Sequence, residues 1–399
     1  MKEFGNTEYA KMLYINFEEE KKMRDLFLPD FNIPRIISAL EAFAGFKIVP
    51  DETLIVLDEI QAAPQGITSL KYLCENAPEY QVVVSDSLLG MSLHAGDSFP
   101  VGKVDFMHLY PMSFYEFLLA MNETGLADIL ENKKWDILSL FSNKFIEFLR
   151  YYFYVGGMPE AVAAFAETRD WKATRNVQNG ILLTYERDFS KHAPKEIVPR
   201  IAMAWKSIPS QLAKENKKFI YGLVKEGARA KEYELAIQWM LDSGLLIQCH
   251  RTKDAKIPLV AYQDLSAFKL YHNDIGLLGA MSKLSPRTVV EGNSLFTEYK
   301  GALTEQFVAQ QLRLNSELAV YYFAPDSYSM EVDFIVQNDN DEIIPIEVKS
   351  AENLRTKSFK LFCKKYLPQT AIRTSLSDYR KESWMTNVPL YIIGNYFSE

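Results

Sequence analysis

The sequence predicts a multi-domain chain, α/β at its N-terminal end and α+β after it, and three observations carry this. Over the first 120 residues, short and almost wholly apolar strand-like runs alternate with amphipathic helical ones. Strands apolar on both faces that alternate with helices belong to parallel sheets. Helical periodicity then dominates to about residue 200, and beyond it helices twice give way to strand-like runs, at 245–262 and 320–348. The third observation is length: 399 residues, at roughly 100–200 per domain, hold two to four domains.

Composition narrows the class. A hydrophobic share of 48% against 24% charged is that of a globular protein with buried cores. The net charge of −8 excludes a protein that wraps nucleic acid over its whole surface, so any such contact is a local patch. Cys74, Cys249 and Cys363 are odd in number and far apart, which argues against a disulfide framework or structural zinc. They read as reduced, buried thiols of a cytoplasmic protein. No apolar run reaches about 18 residues, so neither a signal peptide nor a membrane span is expected.

The elements follow in order. Residues 1–4 read as the last turn of a helix, with Gly5 as its C-cap. Residues 12–17 alternate like a strand, 34–43 are apolar at helical spacing, and 53–57 form a buried-type strand ending in Asp58 and Glu59. A helix at 66–75 and a strand at 81–84 complete the pattern, which ends near Phe117. Helices run on to about 195, interrupted by the turn Gly156-Gly157-Met158-Pro159. Residues 229–242 place Tyr233, Ala236, Ile237, Met240 and Leu241 on one helical face. Runs at 245–249 and 259–262 then suggest a hairpin, and helices followed by a hairpin give a winged-helix reading. From about 287 the pattern is a long helix at 294–314, strands at 320–323, 331–336 and 343–348, a helix near 356–366, and strands at 371–374 and 389–393.

The run LIVLDEIQ sets two acids just beyond a buried strand. This is the Walker B arrangement, because the carboxyl ends of parallel strands are the edge where α/β sheets bind nucleotides. There Asp58 would hold the Mg²⁺ of a nucleotide and Glu59 would polarise the attacking water. The neighbouring strand ends in Ser85-Asp86-Ser87, where a polar sensor of the γ-phosphate would stand. The phosphate-cradling pattern G-x-x-x-x-G-K-[ST] does not occur in the 399 residues. The expectation is that the first strand, the loop and most of the first helix lie upstream of Met1.

With these residues in view, the chain resembles bacterial and archaeal AAA-superfamily ATPases joined to a C-terminal domain of unknown function, DUF4143. The matching stretches include YINFEEE, LIVLDEIQAAPQGITSLKY, YYFYVGGMPEAV, ILLTYERDFSKH, KGALTEQFVAQQL and IPIEVKSAEN. The resemblance implies an ATP cofactor with Mg²⁺. It implies that Lys103, in SFPVGK, serves the nucleotide or an adjoining subunit of a homo-oligomer, with Arg187 in YERDF a weaker candidate for that role. Asp86 stands where the family usually has glycine, and a carboxylate there would repel a γ-phosphate.

Glu305, Asp333, Glu347 and Lys349 form a second constellation. Glu347 and Lys349 lie two apart on a strand and so share a face. The polar turn 337–342 would bring Asp333 beside Glu347, and Glu305 lies on an apolar helical stripe, a costly place for an unpaired carboxylate. This is the layout of PD-(D/E)xK nucleases. Asp333 and Glu347, with Glu305 near them, would bind Mg²⁺ or Mn²⁺, and Lys349 would orient or activate water. From 349 to 382 there are nine Lys/Arg against three Asp/Glu, a basic patch able to track the phosphates of DNA. Lys225, Arg229 and Lys231 at the start of the 229–242 helix are compatible with DNA as well.

Four segments are therefore expected: a truncated P-loop NTPase-type core at 1–120, a helical lid at 121–200, a winged helix at 201–285 and a nuclease-like domain at 286–399. Three function classes follow: a nucleotide-driven switch or motor on DNA, a metal-dependent nuclease, and a non-catalytic remnant that binds nucleic acid or protein.

Overall fold

The computed structural model describes residues 1–85, 102–214, 217–288, 297–315, 318–326, 330–350 and 357–397. The chain divides into two compact units, residues 1–109 and 110–399.

In the first unit, strands β1 (Lys11–Asn16), β2 (Thr53–Asp58) and β3 (Gln81–Ser85) form a parallel sheet in the order β1-β2-β3. The central β2 is TLIVLD, buried from Thr53 to Leu57, and only Asp58 emerges at its end. Two helices cross between the strands. Ile33–Ala44 starts at Asn32, whose side chain accepts from Arg35 N at 3.0 Å, and it ends at the left-handed Gly45. Gly66–Asn76 is the second. Ile36 and Leu40 from one helix and Ile67, Leu70 and Leu73 from the other pack with Ile15, Ile55 and Leu57 into one core. The N-terminal helix differs from expectation: it spans Lys2–Glu8 and runs through Gly5. Gly5 is small because it packs on β1, where an added Cβ would lie 2.5 Å from the Met12 sulfur.

The first compact unit ends at residue 109. Ser113 caps the helix Phe114–Ala120 in a capping box with Glu116, and Phe114 stacks edge-on against Tyr152 and Phe307 of the second unit. That unit carries a helical run that includes Ser142–Val155, Pro159–Thr168, Trp171–His192, Val198–Leu212 and Ala230–Asp242. Among the described residues its sheet has eight strands: β4 (Leu246–Thr252), β5 (Gln263–His272), β6 (Ala319–Phe323), β7 (Val332–Gln337), β8 (Ile343–Val348), β9 (Ile372–Ser375), β10 (Arg380–Lys381) and β11 (Thr386–Pro389). Their order is β10-β11-β9-β8-β7-β6-β4-β5.

The hairpin after Ala230–Asp242 exists, but its second strand is β5 and not 259–262, which is a 3₁₀ turn. Leu259 is buried there, and its N–H donates to Gln337 Oε1 at 2.8 Å. β4 also pairs in parallel with β6, so one sheet runs through both the 201–285 and the 286–399 segments. Residues 389–393 are likewise no strand: β11 ends at Pro389, which has no N–H to extend a ladder, and the chain turns into 3₁₀ and α-helix. The helix Thr297–Arg313 is buried on every side from Ala302 to Leu312. Its glutamines make this tolerable. Gln306 clamps both backbone groups of His272, while Gln310 and Gln311 accept from the backbone of Ile275 and Phe114. Ser294 lies outside the described residues. Cys249 and Cys363 are buried as expected, but Cys74 is exposed. Among the described residues no helix is long and apolar enough to cross a membrane.

Candidate functional site

The first site is the carboxyl end of the parallel sheet. β2 delivers Asp58 between the ends of its neighbours: Ser85 of β3 donates to Oδ1, and Tyr14 and Asn16 of β1 donate to Oδ2, Asn16 at 3.3 Å. Partial burial works to raise the Asp58 pKa. Hydrogen bonds from Ser85, Tyr14, the Glu59 backbone and Asn16 outweigh it and hold the carboxyl below the usual range, ionised at neutral pH. Glu59 takes a left-handed backbone (φ 53°), uncommon for a residue with a side chain, and its carboxylate accepts from Gln61 Nε2 at 2.5 Å. Lys103 is exposed and pairs with Glu75 at 3.1 Å within the same unit. Asp86 lies outside the described residues. Arg187 is an exposed residue of the helix Trp171–His192, in the other unit.

The second site is a buried charge cluster on the eight-stranded sheet. Glu305, 7% exposed, takes the Lys217 ammonium on Oε1 at 2.5 Å and the Lys269 ammonium on Oε2 at 3.7 Å. The Tyr271 hydroxyl also donates to Oε2, at 3.4 Å. Lys269 is 1% exposed and reaches Glu331 as well, at 3.2 Å. Lys349 pairs with Glu347 at 2.7 Å, and Asp333 accepts from the Val348 N–H at 2.8 Å. Burial would raise the Glu305 pKa, but Lys269 and Lys217 outweigh it and hold that carboxylate below its ordinary value. Among the described residues no ion pair holds Asp333, and the charge of Lys269 only partly offsets what raises its pKa. Burial, then the charges of Glu305 and Glu347, push it up to about 8. Burial also leaves Glu347 raised in spite of Lys349.

Three sequence families match the chain. The AAA domain matches residues 1–118, a domain of unknown function, DUF8612, matches 146–288, and DUF4143, also a domain of unknown function, matches 300–393. The chain carries an N-terminal AAA domain and a C-terminal DUF4143 domain. AAA domains are of an NTPase type that in general uses nucleotide and Mg²⁺. Among solved structures, the Walker-type ATPase PABY2304 of Pyrococcus abyssi is similar over 63% of this chain and 67% of its own, at 11% identity and a TM-score of 0.39. No curated protein matches the chain.

The AAA domain thus holds Asp58 and Glu59, and the DUF4143 domain holds Glu305, Asp333, Glu347 and Lys349, which the structure brings together. Lys217, Lys269 and Tyr271 lie in the DUF8612 segment, and the sequence reading missed all three. Their one local signal is Lys269 inside the apolar stretch AFKLY, an improbable place for an unpaired lysine. They decide whether the set fits a metal. Mg²⁺ needs carboxylate oxygens free to close to roughly 2.0–2.1 Å, and Mn²⁺ likewise needs them free of other cations. Here both Glu305 oxygens are engaged by ammonium groups, and Lys349 holds Glu347. Among the described residues no three His, Cys, Asp or Glu side chains are grouped so as to hold a metal ion. The expected Mg²⁺ or Mn²⁺ on Glu305, Asp333 and Glu347 does not fit this arrangement, because lysines already supply the positive charge.

The basic patch at 349–382 is thinned in the same way. Lys349 is tied to Glu347, Arg373 is buried on Asn387 and Glu382, and Arg380 pairs with Glu382. Arg355 lies outside the described residues. Lys357, Lys360, Lys364 and Lys365 stay exposed along the helix Lys357–Tyr366.

Proposed function

We propose that the AAA domain forms the Mg²⁺ and water side of a nucleotide site, with Asp58 facing the cation and Glu59 the attacking water. The observation that carries this is Asp58 itself: an ionised carboxylate at the exit of the central parallel strand, oriented from both sides by Tyr14, Asn16 and Ser85. Ser85 Oγ is both donor and acceptor and can turn, so Oδ1 can be given over to a cation. Bound Mg²⁺-ATP would supply the γ-phosphoryl group to be transferred to water. The protein's part is to keep Asp58 charged and fixed, and to hold Glu59 with Gln61 at the strand exit. The 399 residues contain no G-x-x-x-x-G-K-[ST] cradle, so weak affinity is expected. In the test, millimolar Mg²⁺-ATP is titrated into the chain and followed by NMR. Shifts that Asp58→Ala removes support the reading. No binding at millimolar nucleotide, or binding that survives Asp58→Ala, rejects it.

As a second reading, we infer that the 110–399 unit carries a DNA-binding surface on a nuclease-type scaffold. The exposed row Lys357, Lys360, Lys364 and Lys365 favours it, together with Lys225, Arg229 and Lys231 about the start of the helix Ala230–Asp242, which precedes the β4–β5 hairpin as in a winged helix. Phosphate contacts of this kind are salt-dependent. Replacing Lys357, Lys364 and Lys365 by Gln should weaken DNA binding and flatten its salt dependence; unchanged affinity and slope would remove this face from consideration.

A further inference from the structure

Four carboxylates, Glu305, Glu331, Asp333 and Glu347, meet three ammonium groups, Lys217, Lys269 and Lys349, within the second unit. The carboxylates all belong to the C-terminal segment. Lys217 and Lys269 do not: they come from the segment matched by DUF8612, carried by the chain just before Phe219 and by β5. An isolated carboxylate cannot be buried at Glu305 without compensation. In a nuclease-type site that compensation would be a divalent cation.

We propose that the ammonium groups of Lys217 and Lys269 stand in for a divalent metal at the Glu305–Asp333–Glu347 site, so that this domain holds the site closed without Mg²⁺ or Mn²⁺. The geometry has a direct consequence. A cation approaching Glu305 meets Nζ of Lys217 at Oε1 and Nζ of Lys269 at Oε2, and is repelled by both. The charge is supplied from another part of the chain. The helix Thr297–Arg313 and strands β7 and β8 therefore depend on the DUF8612 segment for neutrality, as well as for the pairing of β4 with β6. The inference is independent of the nucleotide reading and of the DNA reading.

The test uses the full chain and a reporter confined to this unit. All five tryptophans, Trp135, Trp171, Trp205, Trp239 and Trp384, lie between 110 and 399, so their fluorescence follows it alone. Thermal melts are compared in EDTA, in Mg²⁺ and in Mn²⁺. The wild-type midpoint should be the same in all three, within about 1 °C. Lys269→Met keeps the length of the side chain and removes its charge. It should melt lower in EDTA and regain several degrees in Mn²⁺, and Glu347→Gln added to it should abolish the gain. A wild type stabilised by Mn²⁺ through Glu347 would overturn the proposal, as would a folded Lys269→Met that gains nothing from metal. If Lys269→Met does not fold, Lys217→Met is read in its place. Mn²⁺ binding to wild type against Glu347→Gln, measured by electron paramagnetic resonance, then decides independently: binding that Glu347→Gln removes sinks the proposal, and equal signals uphold it.

Discussion

Gly157→Ala should be among the most damaging single-methyl changes in the 110–399 unit. An added Cβ would lie 2.1 Å from Met112 O and 2.7 Å from Met112 N, both backbone atoms that no rotamer change can move. The chain would have to part by about 1 Å to restore van der Waals contact, and two hydrogen bonds hold it where it is. Met112 N donates to Gly157 O at 2.7 Å, and Gly157 N donates to the buried carboxyl of Asp274 at 2.6 Å. A neutral bond contributes about 0.5–1.5 kcal/mol, one to a charged group about 1.5–3, and overpacking costs about 1–3. The loss should therefore be about 3–7 kcal/mol, much of a marginal stability. For a unit of this size that is a fall of roughly 5–15 °C in midpoint, read by tryptophan fluorescence. Gly180→Ala is the control. That glycine lies within the helix Trp171–His192 with nothing within 4 Å of its added Cβ, so the change should be neutral or stabilise by up to about 1 kcal/mol. A Gly157→Ala midpoint within about 2 °C of wild type would refute the steric argument.

Further outcomes are expected. His272 is fully buried and burial lowers its pKa to about 3, so below about 6.5 the unfolded chain takes a proton that the folded one refuses. The stability tied to this group is complete above pH 6.5 and is lost toward pH 3, at about 1.4 kcal/mol per unit. His272→Gln should flatten that slope in urea midpoints compared between pH 7 and 4.5, and an identical slope would show that another group governs it. Gln306→Leu leaves the N–H and C=O of His272 unpaired in the interior and should cost about 2–4 kcal/mol by the same fluorescence. Lys103→Ala removes an ion pair whose side chains are 38% and 35% exposed, so the first unit should lose less than about 1 kcal/mol; a larger loss by circular dichroism would contradict a surface role. Glu59→Gln should slow any nucleotide hydrolysis while leaving binding intact, and an unchanged rate removes Glu59 from the water side.

Local sequence determined the regular elements and the identity of the acids. The run TLIVLD has no polar residue between Thr53 and Asp58, and only a central strand covered on both faces accommodates it. Asp58 and Glu59 at its end, the alternation EVDFIV and the E-x-K of β8 could be read because a strand's two-residue period places side chains without knowledge of partners. What could not be read is everything set by pairing across long stretches of chain. Lys217 and Lys269 lie 88 and 36 residues before Glu305, and the apolar setting of Lys269 signals a partner without saying which carboxylate it is. The apolar run 259–262 looks like a strand until Leu259 is seen donating to Gln337, and the winged-helix hairpin looks self-contained until β4 is seen beside β6. Gln306, Gln310 and Gln311 are buried clamps that no local pattern marks, since amide side chains can satisfy backbone groups that no neighbouring strand reaches. The sequence names the charges. Only the tertiary structure decides which charges neutralise one another, because burial energy depends on partners brought together in space and not on their order along the chain.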